Sequence, residues 1–271
     1  MILDCADAAA AVRGAALSGQ AYNPPFPPNY VLTPRLYDAP TNAKFYQQIL
    51  DTYNDATCKS LAQAFVKNGT WQVPTLIRMR TQDYSDDALY RADPNLVYVD
   101  KTRRTLWEQL GAQAETTLTP ATKTTLHDFY AQMLKVTKMM KQNGVKMLAG
   151  SDTGGIWVIP GFSLQQEFKE LSTAGLTPLE ILQMTTLNAA EFLHRETTMG
   201  TVDVGKNADL VLLDANPLDS VANLGKIQAV VLKGKYLPKA ALDQMKTDVA
   251  TAYASQPLKD LATALDPSHV D

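Results

Sequence analysis

Between positions 41 and 67 the apolar residues Phe45, Ile49, Tyr53, Leu61 and Phe65 return at helical spacing. The stretch predicts a helix with one buried face and a break near Cys58. Asn68-Gly69 then closes it, because glycine takes the left-handed backbone that ends a helix without steric cost. The run TWQVPTLIRMR that follows is rich in β-formers and predicts a strand, with Pro74 tolerated at an edge or bulge. Leu126, Tyr130, Met133, Val136 and Met140 mark a second helix over about 121–142, with Thr119 as N-cap and Pro120 at the first helical position. It also stops at Asn-Gly, Asn143-Gly144, and runs into a strand over 145–149. Helix, Asn-Gly stop, strand therefore occurs twice, which points to consecutive units of an α/β layer structure.

Two further helices carry N-terminal signals. Ser163 with Gln166 forms a capping-box pattern ahead of Leu164, Phe168 and Leu171, and Thr177, Pro178 and Glu180 do the same ahead of Ile181, Met184, Thr185, Ala189 and Phe192. Gly175 separates them. The texture then turns to short β segments: ADLVLLD at 208–214, a turn at Asn216-Pro217, and AVVLKGKYL at 229–237, hairpin-like around Gly234. A helix follows over about 239–254, then a polar tail ending DPSHVD. Near the start, the six prolines of AYNPPFPPNYVLTPRLYDAP at 21–40 exclude regular helix or central strand and predict an extended, ordered loop.

A chain of 271 residues, 45% of them hydrophobic, can bury a substantial core as one large domain or two smaller ones. The formal net charge of −3, with Lys and Arg scattered, leaves no basic footprint and argues against nucleic acid and membrane surfaces as partners. No run approaches the ~18 apolar residues of a membrane helix. The opening MILDCADAAAAVRG is interrupted by Asp4 and Asp7 and lacks the pattern of a secretory leader. Cys5 and Cys58 are open to two readings, a disulfide or two buried free thiols.

The candidate chemistry gathers at GVKMLAGSDTGG. Asp152 stands just past the strand at 145–149, where α/β units line their active sites, and Gly150, Gly154 and Gly155 permit tight backbone geometry or close approach of a ligand. A plain turn-capping role for Asp152 stays open beside the catalytic one. The sequence has no H-x-H, H-E-x-x-H, G-x-S-x-G, P-loop or dinucleotide fingerprint. His127 within a helix, His194 at a helix end and His269 in the tail read as surface or capping residues. Arg78 and Arg80 could meet an anionic substrate group, with solvated surface arginines as the plainer reading.

The order GVKMLAGSDTGG, GFSLQQEFKELSTAGLTPLEILQMTTLNAAEFL, MGTVDVGKNADLVLLDANPLDSVANLGKIQAVVLKGKYL resembles the C-terminal portion of the amidohydrolase superfamily, most closely its imidazolonepropionase-like and prolidase-like branch. The resemblance covers about residues 69–245. It implies an α/β fold, a partial (β/α)8 barrel supplying the last two βα units, with strands of a small β-sandwich and a C-terminal helix. The implied division is a barrel portion over residues 1–197, sandwich strands over 198–238, and a helix and tail over 239–271. It implies hydrolysis of C–N bonds in a small-molecule amide, cyclic amide or peptide-like substrate, with one or two divalent metals, zinc foremost. Asp152 matches the acid that contacts the metal or its water and carries the proton, and so is the expected catalytic and metal-side residue. The family's other ligands have no counterpart here, and many relatives carry a histidine near Gln165. The chain should therefore meet a missing N-terminal portion or self-associate. A family-derived scaffold without a metal site is the alternative.

Overall fold

The computed structural model describes residues 5–7 and 39–258. All but the last two residues of the proline-rich 21–40 segment lie outside them, as does the tail with His269. The first helical stretch is two helices, α1 (Ala39–Asp51) and α2 (Asp55–Lys67), so the break falls ahead of Cys58, which lies within α2. Asn54 causes it: its side chain accepts hydrogen bonds from the Ala56 and Thr57 amides at 2.9 and 3.0 Å and opens α2 as a true N-cap. Both Asn-Gly stops hold, with Gly69 at φ +63° after α2 and Gly144 at φ +82° after the later long helix.

The run TWQVPTLIRMR departs from expectation. Only its beginning is extended, pairing at Gln72 with Met147 in a parallel bridge, while its end forms α3 (Leu76–Asp83). Leu76, Ile77 and Arg78 all bury themselves there, so tertiary packing overrides the local β preference. Beyond it come α4 (Ala88–Arg91), a 3-10 turn over Pro94–Tyr98 and α5 (Lys101–Thr117), a helical insertion that the apolar pattern did not mark. α6 (Pro120–Gln142) has Thr119 as N-cap and Pro120 at N1, as the sequence indicates.

After the 147 segment, α7 (Ser163–Thr173) begins one residue beyond Phe162, which makes no side-chain cap bond. Ser163 is thus not an N-cap, and its hydroxyl is used elsewhere. Thr177 and Glu180 do form the reciprocal capping box of α8 (Pro178–Thr185), and a break at Thr186 starts a separate α9 (Leu187–Phe192). The strands β1 (Leu210–Leu213), β2 (Ile227–Leu232) and β3 (Lys235–Pro238) form an antiparallel sheet in the order β1-β2-β3. Lys233 and Gly234, both at positive φ, turn the β2–β3 hairpin, and α10 (Lys239–Ser255) follows. The described residues are α/β in character: helices around a short parallel pairing, plus a small antiparallel sheet.

The main core joins α1, α2, α6, α7 and α8 through Ile49, Ala62, Leu126, Met140, Leu171 and Ile181 around Met147. A second cluster of Trp107, Trp157, Ile156, Ile159, Leu96 and Val99 binds the loop after Asp152 to α5. The indole nitrogen of Trp157 donates to the Ser85 carbonyl at 3.2 Å, satisfying its one polar atom in that setting.

Cys5 and Cys58 are joined in a disulfide, which decides between the two readings left open by the sequence. Asn54 N–H donates to the Cys5 carbonyl at 2.8 Å, so the early segment is tied down beside the start of α2. The bond closes a sequence separation of 53 residues. Restricting a loop of that length in the unfolded chain is worth about 4 kcal/mol by loop-closure entropy. Cys5→Ser/Cys58→Ser should lose stability of this order in urea unfolding, and an unchanged midpoint would reject a stabilising role.

Candidate active site at the ends of two parallel segments

Gln72 N–H donates to Lys146 O and Leu148 N–H to Gln72 O, both at 2.9 Å, so the two extended segments run side by side in the same direction. Gly150 allows their ends to close up: a Cβ there would lie 2.7 Å from Val73 Cγ1. Each segment then makes a left-handed turn on a non-glycine residue, Thr75 at φ +48° and Asp152 at φ +46°. Aspartate tolerates that region, whereas for a β-branched threonine it is a genuine strain. A strain of about 1–2 kcal/mol at Thr75 persists only where the surrounding structure over-determines it.

Three hydroxyls hold the residues on either side of Asp152. Ser151 and Thr153 Oγ atoms lie 3.0 Å apart, and each is 2.8 Å from the buried Ser163 Oγ at the start of α7. Three hydroxyls in a closed ring can satisfy one another with one proton each. The ring ties the Asp152 turn to a helix, which fixes the backbone on both sides of the acid.

The carboxylate itself is half exposed, its side chain 51% accessible, and Oδ2 sits 3.6 Å from Arg78 Nε. Arg78 is the buried partner at 7% side-chain exposure, correcting the expectation of a solvated surface arginine. Its guanidinium lies across Gly155, where a Cβ would come within 2.4 Å of Nε, and Nη1 donates to Gln82 Oε1 at 3.2 Å. The glycine after Asp152 thus makes room for the arginine. Arg80 is engaged elsewhere: its guanidinium stacks 3.4 Å above the Tyr84 ring and pairs with Asp87 at 3.4 Å.

Neither of the described histidines joins Asp152. His127 is partly buried within α6; it stacks on Tyr84 at 3.7 Å, and burial lowers its pKa, with Asp86 opposing. His194 ends α9 in a left-handed turn at φ +53° and is exposed. Gln165 donates to the Leu224 carbonyl at 3.3 Å, tying α7 to the 3-10 turn Val221–Gly225. Among the described residues no group of three or more His, Cys, Asp or Glu side chains could hold a metal ion. The described residues therefore do not by themselves make the metal centre that the resemblance implies. They make one fixed carboxylate, open to solvent on one side and backed by a buried cation on the other, an arrangement suited to holding or passing a proton.

One residue of this region escaped the sequence reading. Glu167 on α7 is fully buried, and its Oε2 accepts the Ile77 amide at 2.7 Å across a separation of 90 residues. The signal was present: Glu167 falls on the helix face set by Phe168 and Leu171, where an acid is out of place unless it has a partner.

Residues 94–237, more than half of the chain, match the sequence model of the Amidohydrolase family. The chain belongs to the amidohydrolase family. It is 38% identical to the imidazolonepropionase of Shouchella clausii (strain KSM-K16) over 91 residues, 29% of this chain and 20% of that protein. It is 42% identical to the 5'-deoxyadenosine deaminase of Methanobrevibacter smithii (strain ATCC 35061) over 59 residues, 22% of this chain and 14% of that protein. Both alignments thus span a fifth or less of the relatives' own length. Among solved structures, a bottromycin amidohydrolase superposes with a TM-score of 0.57 at 24% identity, over 73% of this chain and 44% of that one. That likeness concerns the fold alone.

Proposed function

We propose that this chain is the C-terminal portion of an amidohydrolase that cleaves C–N bonds in small amides, cyclic amides or dipeptide-like compounds, with Asp152 as its proton-carrying carboxylate. One observation carries the reading: a half-exposed acid pinned at the ends of two parallel segments by Arg78 and by the Ser151–Thr153–Ser163 ring. The family match and the names of its relatives, an imidazolonepropionase and a deaminase, support C–N hydrolysis of a small molecule as the reaction class. In that role Asp152 takes the proton of the attacking water as its oxygen bonds the carbon. It then delivers that proton to the nitrogen as the C–N bond breaks. Arg78 holds the carboxylate at one edge and leaves the other oxygen to face the reactants.

The parallel pairing of 72 with 147 supports the assignment of residues 1–197 to the last two units of a (β/α)8 barrel, of 198–238 to sandwich strands and of 239–271 to a C-terminal helix and tail. Asp152 is the described residue that the resemblance places beside a divalent metal, zinc foremost. Further ligands would have to come from outside the described residues. The described residues contain no helix long and apolar enough to cross a membrane. The disulfide supports an oxidising compartment, where such bonds persist.

Metal analysis tests this reading. The purified 271-residue chain should bind no stoichiometric zinc. A protein extended by the coding frame upstream of Met1 should hold one or two equivalents and hydrolyse amide substrates. Stoichiometric zinc on the chain alone would contradict the reading, and an extended protein with neither metal nor turnover would favour the scaffold.

A further inference from the structure

The helix that carries Arg78 lacks an N-cap of its own. Thr75 occupies the N-cap position of α3 in a left-handed conformation and makes no side-chain cap bond. The amides of a first helical turn have no partner within the helix, and burying them unpaired costs about 1–3 kcal/mol each. Ile77 is buried, and the partner of its amide comes from α7: Glu167 Oε2 at 2.7 Å. The neighbouring Leu76 amide favours the charged form of this carboxyl as the Ile77 amide does. Glu167 Oε1 has no hydrogen-bond partner among the described residues, so the side chain serves this one helix end.

We propose that Glu167 is a positioning residue, a cap supplied from α7 that fixes the first turn of α3 and thereby sets Arg78 against Asp152. Arg78 follows Ile77 directly, so whatever holds the Ile77 amide holds the point from which the arginine side chain departs. α7 contributes twice to the same site. Ser163 at its start binds the two neighbours of Asp152, and Glu167, one turn later on the same face, binds the residue before Arg78. Both halves of the Arg78–Asp152 pair are therefore referred to one rigid helix. A shift of α7 moves them together, whereas separate supports would let the 3.6 Å contact open.

The clamp's weight in catalysis rests on Asp152 being the carboxylate proposed above; the clamp itself does not. Nitrogen-15 NMR of the 271-residue chain at fixed pH separates the two. The Arg78 Nε–H resonance is identified by its displacement in Asp152→Asn. In Glu167→Leu it should leave its wild-type position and exchange with water. In Glu167→Gln, which keeps a carbonyl oxygen for the Ile77 amide, it should stay. Amide exchange at Ile77 should be protected in the wild type and about tenfold faster in Glu167→Leu, the effect of one lost hydrogen bond. The Trp107 indole signal, from the second core cluster, reports whether the variant is otherwise folded.

An unmoved Arg78 signal in Glu167→Leu overturns the proposal, as does an equal loss in Glu167→Gln. Should Glu167→Leu fail to fold, the wild-type exchange rate at Ile77 decides with Glu167→Gln: an unprotected first-turn amide overturns the cap. If an Asp152→Asn enzyme turns over normally while these NMR results hold, the assignment of Asp152 fails and the clamp stands.

Discussion

Asp152→Asn will lower turnover by about 10²–10⁴-fold, the usual share of a positioned acid–base group, in a catalytically competent protein that contains this chain. The substitution is chosen for what it leaves in place. Asparagine tolerates the left-handed backbone at φ +46° as well as aspartate does, so the turn between Ser151 and Thr153 should persist. Its amide oxygen can still face Arg78, and an ion pair with one half-exposed member contributes little to stability, about 0–1 kcal/mol. The unfolding midpoint should thus move by no more than a few degrees. What disappears is the ability to accept and return a proton. The loss should appear in kcat far more than in KM, because the group acts on the transition state and does not serve uniform substrate binding. A variant with near wild-type kcat would remove Asp152 from the reaction.

The legible regions of this fold are those governed by short-range rules. Asn68-Gly69 and Asn143-Gly144 end their helices because glycine alone takes positive φ freely, and Thr177 with Glu180 closes a capping box within one turn. The misread regions depend on partners far along the chain. LIRMR is helical because Leu76 and Ile77 bury against elements distant in sequence, and Ser163 is diverted from capping by hydroxyls at 151 and 153. Arg78 shows the same limit. Nothing beside it in sequence reveals that Gly155 vacates the space for its guanidinium or that Asp152 lies beyond. The place of Asp152 just past an extended segment was legible because strand-then-loop is a local pattern. Its supports were not, since Arg78 lies 74 positions before it and Glu167 fifteen after it.

Glu167 should also give the protein a distinctive dependence on pH. Burial pushes its carboxyl from 4.5 up to about 8, with the amides of Ile77 and Leu76 pulling the other way and the nearby Glu170 adding to the rise. At neutral pH the folded protein therefore keeps this acid protonated, with Oε2 still free to accept the Ile77 amide. Below pH 4.5 folded and unfolded chains both carry the proton, and the contribution to stability is complete. Between 4.5 and 8 the unfolded chain has released it while the folded chain holds it, so stability falls by about 1.4 kcal/mol per pH unit. Above about 8 both have lost it and the slope ends. The total is on the order of 4–5 kcal/mol, a large fraction of the stability of a typical domain. Glu167→Gln presents the same shape and a carbonyl acceptor but does not titrate. Urea unfolding of both proteins from about pH 4 to 9 isolates the residue, because every other group is common to the two. The wild type should lose ground steadily against the variant across that window. A constant difference between them would mean that the buried carboxyl is already ionised, held by the helix end as an anion.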